Sequence, residues 1–320
     1  AAPAHLSEPY AREMSSQPKP SRRAAITLAA ALGSGIALSH IPVRAGADPD
    51  AAARYRGYST RDQARPYAKY MAVRTRPVVS TVAAAYLADP TPSQQIPEFC
   101  ALTADLSPHG ASAVETGYGT TASGAIWVAV HTPMPGVTAA MWDWWFAWHP
   151  VESARYKLWH PDAHLYCGIA TDRCAEPIPD RDKYIGNIAY VDEYIGPELQ
   201  QLAIAFADPR AYGFEVPDQH TVILARVGSA VAPIDLGWLA HQVRPTPAGC
   251  EMRSRFYLNL YGLHQPDLTQ AERAVQRGVA ADPADLAPDT DLARELLLHC
   301  GQEMNHLAGF LPRLYHDFAH

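Results

Sequence analysis

The chain lacks any CxxC pair of cysteines. Its five cysteines are an odd number without a CxxC motif: Cys100, Cys167, Cys174, Cys250 and Cys300. Zinc knuckles and thioredoxin-like redox sites are therefore excluded, because both need paired thiols a few residues apart. Cys167 and Cys174 are close enough in sequence to form a disulfide if the chain is exported, and a set of unpaired buried thiols is the alternative.

The chain also has little charge, and positive charge is the scarcer sign. Lys and Arg number 26 against 33 Asp and Glu, so the net charge of −7 argues against a nucleic-acid-coating protein. After the N-terminal region, no uninterrupted apolar run is long enough to cross a membrane. What is present is a hydrophobic content of 48% over 320 residues, which predicts a globular protein of one large or two modest domains.

Residues 1–47 differ in composition from the rest and are predicted to be a leader of twin-arginine type. An arginine pair precedes an uncharged apolar run, residues 24–39, and small residues allow signal-peptidase cleavage after Ala45 or Ala47. An alanine-rich helix of the folded domain is the alternative interpretation. Export would place the mature protein in the periplasm or outside the cell, and a non-functional leader would leave it in the cytoplasm.

The remaining chain shows a helical start, a β-rich middle and a helical end. Residues 51–85 favour helix, and a proline-rich connector follows them. Residues 124–132 (GAIWVAVHT) predict a strand that ends at Pro133. Further strand candidates are residues 184–194, 199–205, 220–227 and 256–261. Strands and helices do not alternate as they do in a doubly wound sheet, so the predicted fold class is α+β.

A long C-terminal helix is the clearest single element. Residues 288–291 (PDTD) are typical of a helix start and supply negative charge for the first turn. One stripe follows at steps of four, three, four and seven: Leu292, Leu296, His299, Glu303 and Phe310. Pro312 is expected to end the regular part.

His299 and Glu303 place an imidazole and a carboxylate on one face of this helix, because they are four residues apart. That face is the apolar one, and burying both groups is costly unless they bond each other or bind a metal. Two interpretations stay open at this point: a satisfied pair in the core, and half of a metal site. The intervening CGQ does not match the HExxH motif.

Residues 141–164 concentrate aromatic and histidine side chains. They hold five of the seven tryptophans and three histidines: His149, His160 and His164. Because Pro161 disfavours helical geometry at the residue before it, the last two histidines need not face the same way. Glu193, inside the run IAYVDEYIG, is a further candidate ligand if it points into a cavity and not to solvent.

Five stretches of this chain together resemble the 2,4-diacetylphloroglucinol hydrolase and phloretin hydrolase family. They are VETGYG, GAIWVAVHT, MPGVTAAMWDWWFAWHPVESARYKLWHPDAH, VDEYIG and HCGQE. The similarity runs from Tyr55 to Phe318. It implies a metal-dependent hydrolase that cleaves the carbon–carbon bond between an acyl group and a polyhydroxylated aromatic ring. It also implies a helix-grip (Bet v 1-like) domain, in which a curved antiparallel sheet wraps a long C-terminal helix, after a small N-terminal helical part.

The resemblance implies one divalent metal ion held by His164, Glu193, His299 and Glu303. Zinc is the expected ion, with manganese and ferrous iron as alternatives. His164 is preferred over His160 because the family's WHPxxH run places its ligand at the second histidine. Glu193 follows from the match to VDEYIG.

The resemblance also implies catalytic roles. Tyr156 in RYKLWHP and Tyr257 in RFYLN match tyrosines that touch the substrate, and Tyr261 competes with Tyr257 for the second role. His241 in WLAHQV matches an active-site histidine. Either His241 or Glu193 is expected to carry a proton to the ring carbon that bears the acyl group.

The expected partner is a small-molecule acyl phenol, with no nucleic acid and no stable membrane span in the mature chain. A homodimer is a candidate oligomeric state. The expected division is a leader over residues 1–47, an N-terminal helical part over 48–98 and a helix-grip catalytic domain over 99–320. A hydrolase of non-aromatic β-diketones and a non-catalytic phenolic-binding protein of the same fold are the rival hypotheses. Cys167 stands where some family members have asparagine, which leaves the preferred acyl group open.

Overall fold

A computed structural model describes residues 57–278 and 288–319. Within these ranges the chain forms nine α-helices and one eight-stranded antiparallel sheet. This arrangement confirms the predicted α+β class. The leader predicted for residues 1–47 lies outside the described residues. None of the described helices is both long enough and apolar enough to cross a membrane.

The sheet contains eight strands, numbered in chain order. They are β1 Gly117–Thr120, β2 Ile126–Pro135, β3 His164–Ile169, β4 Ile188–Ile195, β5 Glu198–Ala207, β6 Thr221–Ser229, β7 Ile234–Thr246 and β8 Gly249–Leu263. Their order in space is β1-β2-β8-β7-β6-β5-β4-β3, and all neighbours are antiparallel. Strands β3 to β8 therefore form one continuous meander, which β2 extends by pairing with β8.

Helices connect and cover this sheet. They are α1 Thr60–Gln63, α2 Ser80–Leu87, α3 Leu102–Asp105, α4 Ala139–Trp148, α5 Ser153–Trp159, α6 Asp180–Tyr184, α7 Leu268–Gln276, α8 Thr290–Ala308 and α9 Leu311–Phe318. The long helix α8 begins as predicted, because the Asp289 side chain accepts a hydrogen bond from the Leu292 N–H and so caps the first turn. It packs on the curved sheet against β1, β2 and β4.

The two faces of the sheet carry separate clusters of buried side chains. On the inner face, Val128 and Phe256 pack in the cluster that includes α8. On the outer face, Trp127 and Tyr257 pack with Phe99. Because successive residues of a strand point to opposite faces, neighbours such as Phe256 and Tyr257 belong to different clusters.

Proline does not end β2, so the prediction for residues 124–132 is wrong at this point. The strand continues through Pro133 to Pro135 and pairs with β8 over its whole length. Strand β1 pairs with β2 only as far as Ala129, so beyond that residue β2 has an open side within the described sheet. Proline has no backbone N–H to donate and is tolerated on such an edge.

Two helix predictions need correction. Helix α8 ends at Ala308, and Pro312 lies in the first turn of α9, where a missing N–H costs nothing. The described part of residues 51–85 contains two short helices and a 3-10 turn, so it is not mostly helical. Pro66 and Pro77 explain the difference, because proline breaks a helix and disfavours helical geometry in the residue before it.

The sheet is larger than the sequence pattern predicted. The candidate strand 184–194 begins at the end of α6, and its last part forms β4, while residues 256–261 are only the second half of β8. Strands β1, β3 and β7 were not predicted. In β7, Gly237 allows a close approach to β8, since a Cβ there would lie 2.1 Å from the carbonyl oxygen of Tyr257.

Candidate metal centre

Four buried side chains converge where β3 and β4 meet α8. They are the expected ligands His164, Glu193, His299 and Glu303, and one ligand atom from each lies within 4.8 Å of all the others. His164 begins β3 and is the register partner of Glu193 on β4. His299 and Glu303 lie one turn apart on the buried face of α8. The hairpin therefore supplies two of the groups and the helix supplies the other two.

The distances inside this cluster are short. His164 Nε2 lies 2.9 Å from Glu303 Oε1 and 3.4 Å from Glu193 Oε2. His299 Nε2 lies 3.5 Å from Glu303 Oε1 and 3.8 Å from Glu193 Oε2. None of the four side chains is more than 10% exposed. Solvent therefore does little to screen the charges they carry.

The bond made by Nδ1 decides which nitrogen of His164 faces the cluster. Nδ1 lies 3.0 Å from the carbonyl oxygen of Tyr156, which can only accept, so Nδ1 carries a proton and Nε2 is the nitrogen that faces the carboxylates. This Nε2 is buried without a hydrogen-bond partner among the described residues, although the Glu303 carboxylate is 2.9 Å away. An imidazole nitrogen and a carboxylate oxygen this close need a proton or a metal ion between them. The arrangement therefore fits a bound metal ion.

Attraction between opposite charges sets the direction in which the pKa values of Glu303 and His299 on α8 are shifted. Burial alone would raise the pKa of Glu303, but His299 and His164 hold that pKa well below its ordinary value. Burial alone would lower the pKa of His299, but the attraction of Glu303 and then Glu193 raises it. Glu303 is therefore ionised, and the centre favours a positive partner.

The chemistry of the donors limits the choice of cation. Two imidazoles and two carboxylates, without a thiolate, form a set that zinc, manganese and ferrous iron all accept. The four residues could therefore hold one divalent metal ion.

Tyr156 lies directly against this centre. Helix α5 places its ring 3.7 Å from the ring of His164 at an interplanar angle of 7°, and its hydroxyl donates to Glu193 Oε2. Burial, and then the negative charges of Glu193 and Glu303, raise the pKa of Tyr156 well above its ordinary value. The hydroxyl therefore stays protonated and acts as a donor.

His160 is adjacent to the cluster but does not belong to it. Its Nδ1 lies 3.0 Å from Thr75 Oγ1 and its Nε2 lies 3.1 Å from Gln302 Oε1. Its ring stacks on His299 with the centroids 4.7 Å apart. Burial lowers the pKa of His160 to about 2, so this neutral imidazole supports the ring of His299.

His241 approaches the centre from β7. Its Nδ1 lies 2.8 Å from the Oγ of Ser254, its register partner on β8, and its Nε2 bonds no described residue. Burial lowers the pKa of His241 to about 4, against the opposing effect of Glu303. A neutral imidazole with an open Nε2 is suited to exchange a proton with a bound molecule.

Tyr257 was expected to contact the substrate, but the structure places it away from the centre. It is fully buried on the outer face of β8, and its hydroxyl donates to the carbonyl oxygen of Pro97 at 2.9 Å. The residue that faces inward here is Phe256, one position earlier. Asn259, with a φ of 62°, then interrupts the alternation, so that Tyr261 packs on the inner face.

The tryptophan-rich stretch forms the core behind the centre, and all five of its tryptophans are buried. Trp145 stacks on His149, His149 on Tyr156, and Tyr156 on His164, with interplanar angles of 20°, 20° and 7°. This column supports the ring of His164 on the face that Tyr156 covers. The aromatic surface therefore belongs mainly to the core, and it positions one side of the centre.

Three supporting residues have no role in the sequence-based prediction: Thr75, Ser254 and Gln302. Gln302 lies inside the HCGQE stretch, so its place one residue before Glu303 is a signal that sequence reasoning could have used. Thr75 and Ser254 carry no local signal, because each meets its histidine only through the tertiary fold.

The two cysteines considered for a disulfide are both free thiols. Cys167 is buried on β3, and its thiol donates to the carbonyl oxygen of Pro150 at 3.4 Å. Cys174 is partly buried, and Arg155 Nη1 lies 3.9 Å from its sulfur. The alternative of unpaired thiols therefore holds for this pair.

Comparison with known proteins assigns the family. The model of the DAPG hydrolase PhiG domain matches residues 96–316, which contain all four side chains of the centre. This chain belongs to that hydrolase family. The same stretch also contains Tyr156, His241 and Ser254.

Two curated relatives match over most of their length. The 2,4-diacetylphloroglucinol hydrolase of Pseudomonas protegens is 31% identical over 218 residues, which are 64% of this chain and 69% of that protein. The phloretin hydrolase of Eubacterium ramulus is 30% identical over 206 residues, which are 62% of this chain and 70% of that protein. Among solved structures, norcoclaurine synthase from Thalictrum flavum aligns with 54% of this chain and 88% of its own, at 16% identity and a TM-score of 0.27. A TM-score this low does not establish a shared fold.

Proposed function

We propose that this protein hydrolyses the carbon–carbon bond between an acyl group and a polyhydroxylated aromatic ring, in substrates such as 2,4-diacetylphloroglucinol or phloretin. The observation that carries the proposal is the buried His/Glu centre, which lies within the stretch that matches the hydrolase family. Both curated relatives are named for substrates of this chemical class.

The reaction is difficult because a simple aryl ketone would have to release an aryl carbanion. A phloroglucinol-type ring avoids this by accepting a proton at the carbon that bears the acyl group, which gives a β-diketone. Water then adds its oxygen to the acyl carbonyl, and cleavage releases a stabilised enolate. The products are one carboxylic acid and the deacylated phenol. The protein must therefore deliver one proton to carbon and stabilise negative charge on the carbonyl oxygen.

The side chains around the centre suit these two tasks. His241 carries the proton at its open Nε2, which bonds no described residue. Glu193 is the second candidate for this transfer, because it already accepts the Tyr156 hydroxyl. Tyr156 stays protonated, orients the acyl group and donates to the developing oxyanion.

The ligands of the proposed metal ion are His164, Glu193, His299 and Glu303, and zinc is the proposed ion. Bound there, a divalent ion would supply positive charge that anchors oxygen and lowers the pKa of water towards about 7. The buried His164 Nε2, which has no hydrogen-bond partner among the described residues, and the ionised Glu303 support this assignment.

The finer organisation of the chain is part of the same proposal. The sheet and α8 form a helix-grip domain over residues 99–320, which follows an N-terminal part over residues 48–98. The support is the packing of α8 on the inner face of an eight-stranded antiparallel sheet. Residues 1–47 act as an export leader, which would place the mature enzyme outside the cytoplasm.

Product analysis tests the proposed function. Zinc-loaded full-length protein is incubated with 2,4-diacetylphloroglucinol and, separately, with phloretin, and the products are identified by mass spectrometry. We expect the loss of one acyl group as the free acid and its suppression by a chelator. Absence of product from both compounds, with metal bound, would contradict the proposal and direct the search to non-aromatic β-diketones or to a binding role.

Substitution of one ligand tests the link between metal and activity. Glu303→Ala should abolish metal binding and hydrolysis together, because it removes a carboxylate from the centre. Glu295→Ala is the matched control, since Glu295 lies two turns earlier on α8 and bonds Tyr86. Activity of metal-free Glu303→Ala protein would refute the assignment.

A further inference from the structure

A short N-terminal segment, residues 74–77, bonds both of the elements that carry the ligands, and we call it the N-terminal bridge. On one side it bonds the turn that leads into β3. The Asp162 carboxylate accepts from the Thr75 N–H at 2.9 Å and from Arg74 Nε at 3.0 Å, and the Thr75 hydroxyl lies 3.0 Å from Nδ1 of His160. Because the Arg74 side chain is 80% exposed, its ion pair contributes little, and the contacts of Thr75 carry this side of the link.

On its other side the bridge bonds α8, directly after Glu303. The Arg76 N–H donates to Nδ1 of His306 at 3.1 Å, and Asn305 Nδ2 donates to the carbonyl oxygen of Pro77 at 2.5 Å. A backbone N–H can only donate, so Nδ1 of the buried His306 is an acceptor. The bridge therefore donates one hydrogen bond to α8 and accepts another from it.

The chain that follows the bridge packs closely on the same helix. Gly301 lies between the ligands His299 and Glu303, and a Cβ there would be 2.7 Å from Val82 Cγ1 and 3.2 Å from Val78 Cγ1. The glycine permits this close approach because it has no side chain. The N-terminal segment therefore contacts α8 at the turn of helix that carries both of its ligands.

We infer that Thr75 is a positioning residue of the metal centre, and that the N-terminal bridge sets the spacing between the ligands on the β3–β4 hairpin and those on α8. The bridge bonds the turn just before His164 and the helix just after Glu303, so it joins the two halves of the centre without supplying a ligand. It also precedes residues 96–316, the stretch that matches the family.

This inference rests on the proposed function, because it concerns the metal ion assigned there. The four ligand atoms lie within 4.8 Å of one another only while the hairpin and α8 keep their relative position. Hydrogen bonds behind the ligands hold such positions, and their loss changes metal affinity by about tenfold to a hundredfold.

Cobalt binding by the full-length chain tests the bridge without substrate. Titration of Co²⁺ against a competing chelator gives the Kd, and the visible absorption of the bound ion reports the arrangement of its ligands. Thr75→Val keeps the shape of the side chain and removes the hydroxyl near His160, so it should raise the Kd by about tenfold and change the spectrum. Thr75→Ser should restore both, because it returns the hydroxyl. Thr116→Val is the matched control, since Thr116 is also half-buried and its hydroxyl bonds the backbone N–H of His131 instead.

A double-mutant cycle tests whether the bridge acts as one unit. Asp162→Ala breaks the contacts on the turn side and Asn305→Ala breaks a contact on the α8 side. Each should raise the Kd by about tenfold, and the double variant should bind little more weakly than the weaker single variant, because a link broken at one end no longer holds. Independent effects would multiply to about a hundredfold, and that result would overturn the inference.

The two proposals fail in different ways. An unchanged Kd and an unchanged cobalt spectrum in folded Thr75→Val would overturn the positioning role and leave the proposed function standing. The expected rise in Kd, in a protein that hydrolyses neither acyl phenol, would support the bridge and contradict the proposed function. If Thr75→Val does not fold, the Asp162 and Asn305 variants decide the question.

Discussion

Single residues near the centre are held in place by their neighbours. Tyr156 contacts two ligands at once, since its carbonyl accepts from His164 Nδ1 and its hydroxyl donates to Glu193. His160 supports a third ligand by stacking on His299. Contacts of this kind set the orientation and basicity of metal ligands. Changing them should therefore alter activity without removing any ligand.

Tyr156→Phe tests this at the residue scale. The variant keeps the ring on His164 and loses the hydroxyl that bonds Glu193, so kcat should fall by about tenfold to a hundredfold while the bound metal remains. Steady-state kinetics and elemental analysis measure the two quantities. Tyr184→Phe is the control, because it removes a buried hydroxyl that bonds Asp143 on α4. An unchanged kcat in Tyr156→Phe would remove Tyr156 from the mechanism.

Among the elements, β8 carries a network of buried charged residues on its outer face. On the outer face, the completely buried Arg255 and Arg253 both donate to Glu115 Oε2 at 3.0 Å, and Arg255 also donates to Asp105 Oδ2 at 2.7 Å. Buried guanidinium groups are costly unless their donors are bonded. These bonds therefore join the segment before β1 to the outer face of the sheet, away from the centre.

Glu115→Gln tests the strength of this attachment. Burial alone would raise the pKa of Glu115, but the bonds from Arg253 and the Ser112 N–H, and the charge of Arg255, lower it to about 2 from an ordinary value of 4.5. Since the folded pKa is the lower one, the stabilisation is complete above about pH 4.5 and is lost as the pH falls towards 2.

We expect Glu115→Gln to lower the free energy of unfolding at neutral pH by about 1–2 kcal/mol, after allowance for solvent screening of a partly exposed group. The loss of stability on acidification should also become less steep. Urea unfolding between pH 7 and pH 3 measures both effects, with Glu198→Gln on the exposed end of β5 as the control. Identical pH profiles for Glu115→Gln and wild type would show that the attachment contributes nothing.

For the whole molecule, the centre joins parts of the chain that are distant in sequence. The β3–β4 hairpin supplies His164 and Glu193, and the C-terminal helix α8 supplies His299 and Glu303. A bound ion would therefore link these elements. Any ligand that binds only the folded state also stabilises that state.

Removal of the metal should lower the thermal midpoint. At a free metal concentration of about a hundred times the Kd, binding contributes about 2.7 kcal/mol, which corresponds to about 4–5 °C for a protein of this size. Calorimetry with and without a chelator measures the shift. Glu303→Ala protein should show no effect of the chelator, and an equal shift in that variant would place the bound metal elsewhere.

Local sequence pattern is sufficient for some elements of this fold and insufficient for others. Helix α8 was predictable because its cap, Asp289, and its buried stripe are encoded within one short segment. Strand β7 was not, because its buried polar residues find partners far away in sequence. Gln242, for example, bonds the Leu106 carbonyl and the Arg253 side chain, so its burial is favourable only after the sheet has formed.

The same division applies to the site. The i, i+4 spacing of His299 and Glu303 and the family-like motifs around His164 and Glu193 were sufficient to name four groups that the fold brings together. Tyr257 was misplaced because a shift of one residue along a strand moves a side chain to the opposite face. Sequence by itself determined which chemical groups are present and the local geometry of α8. Only the tertiary structure brought β3, β4 and α8 together and decided which face of β8 turns inward, because those choices depend on contacts between elements and not on the residues of any one strand.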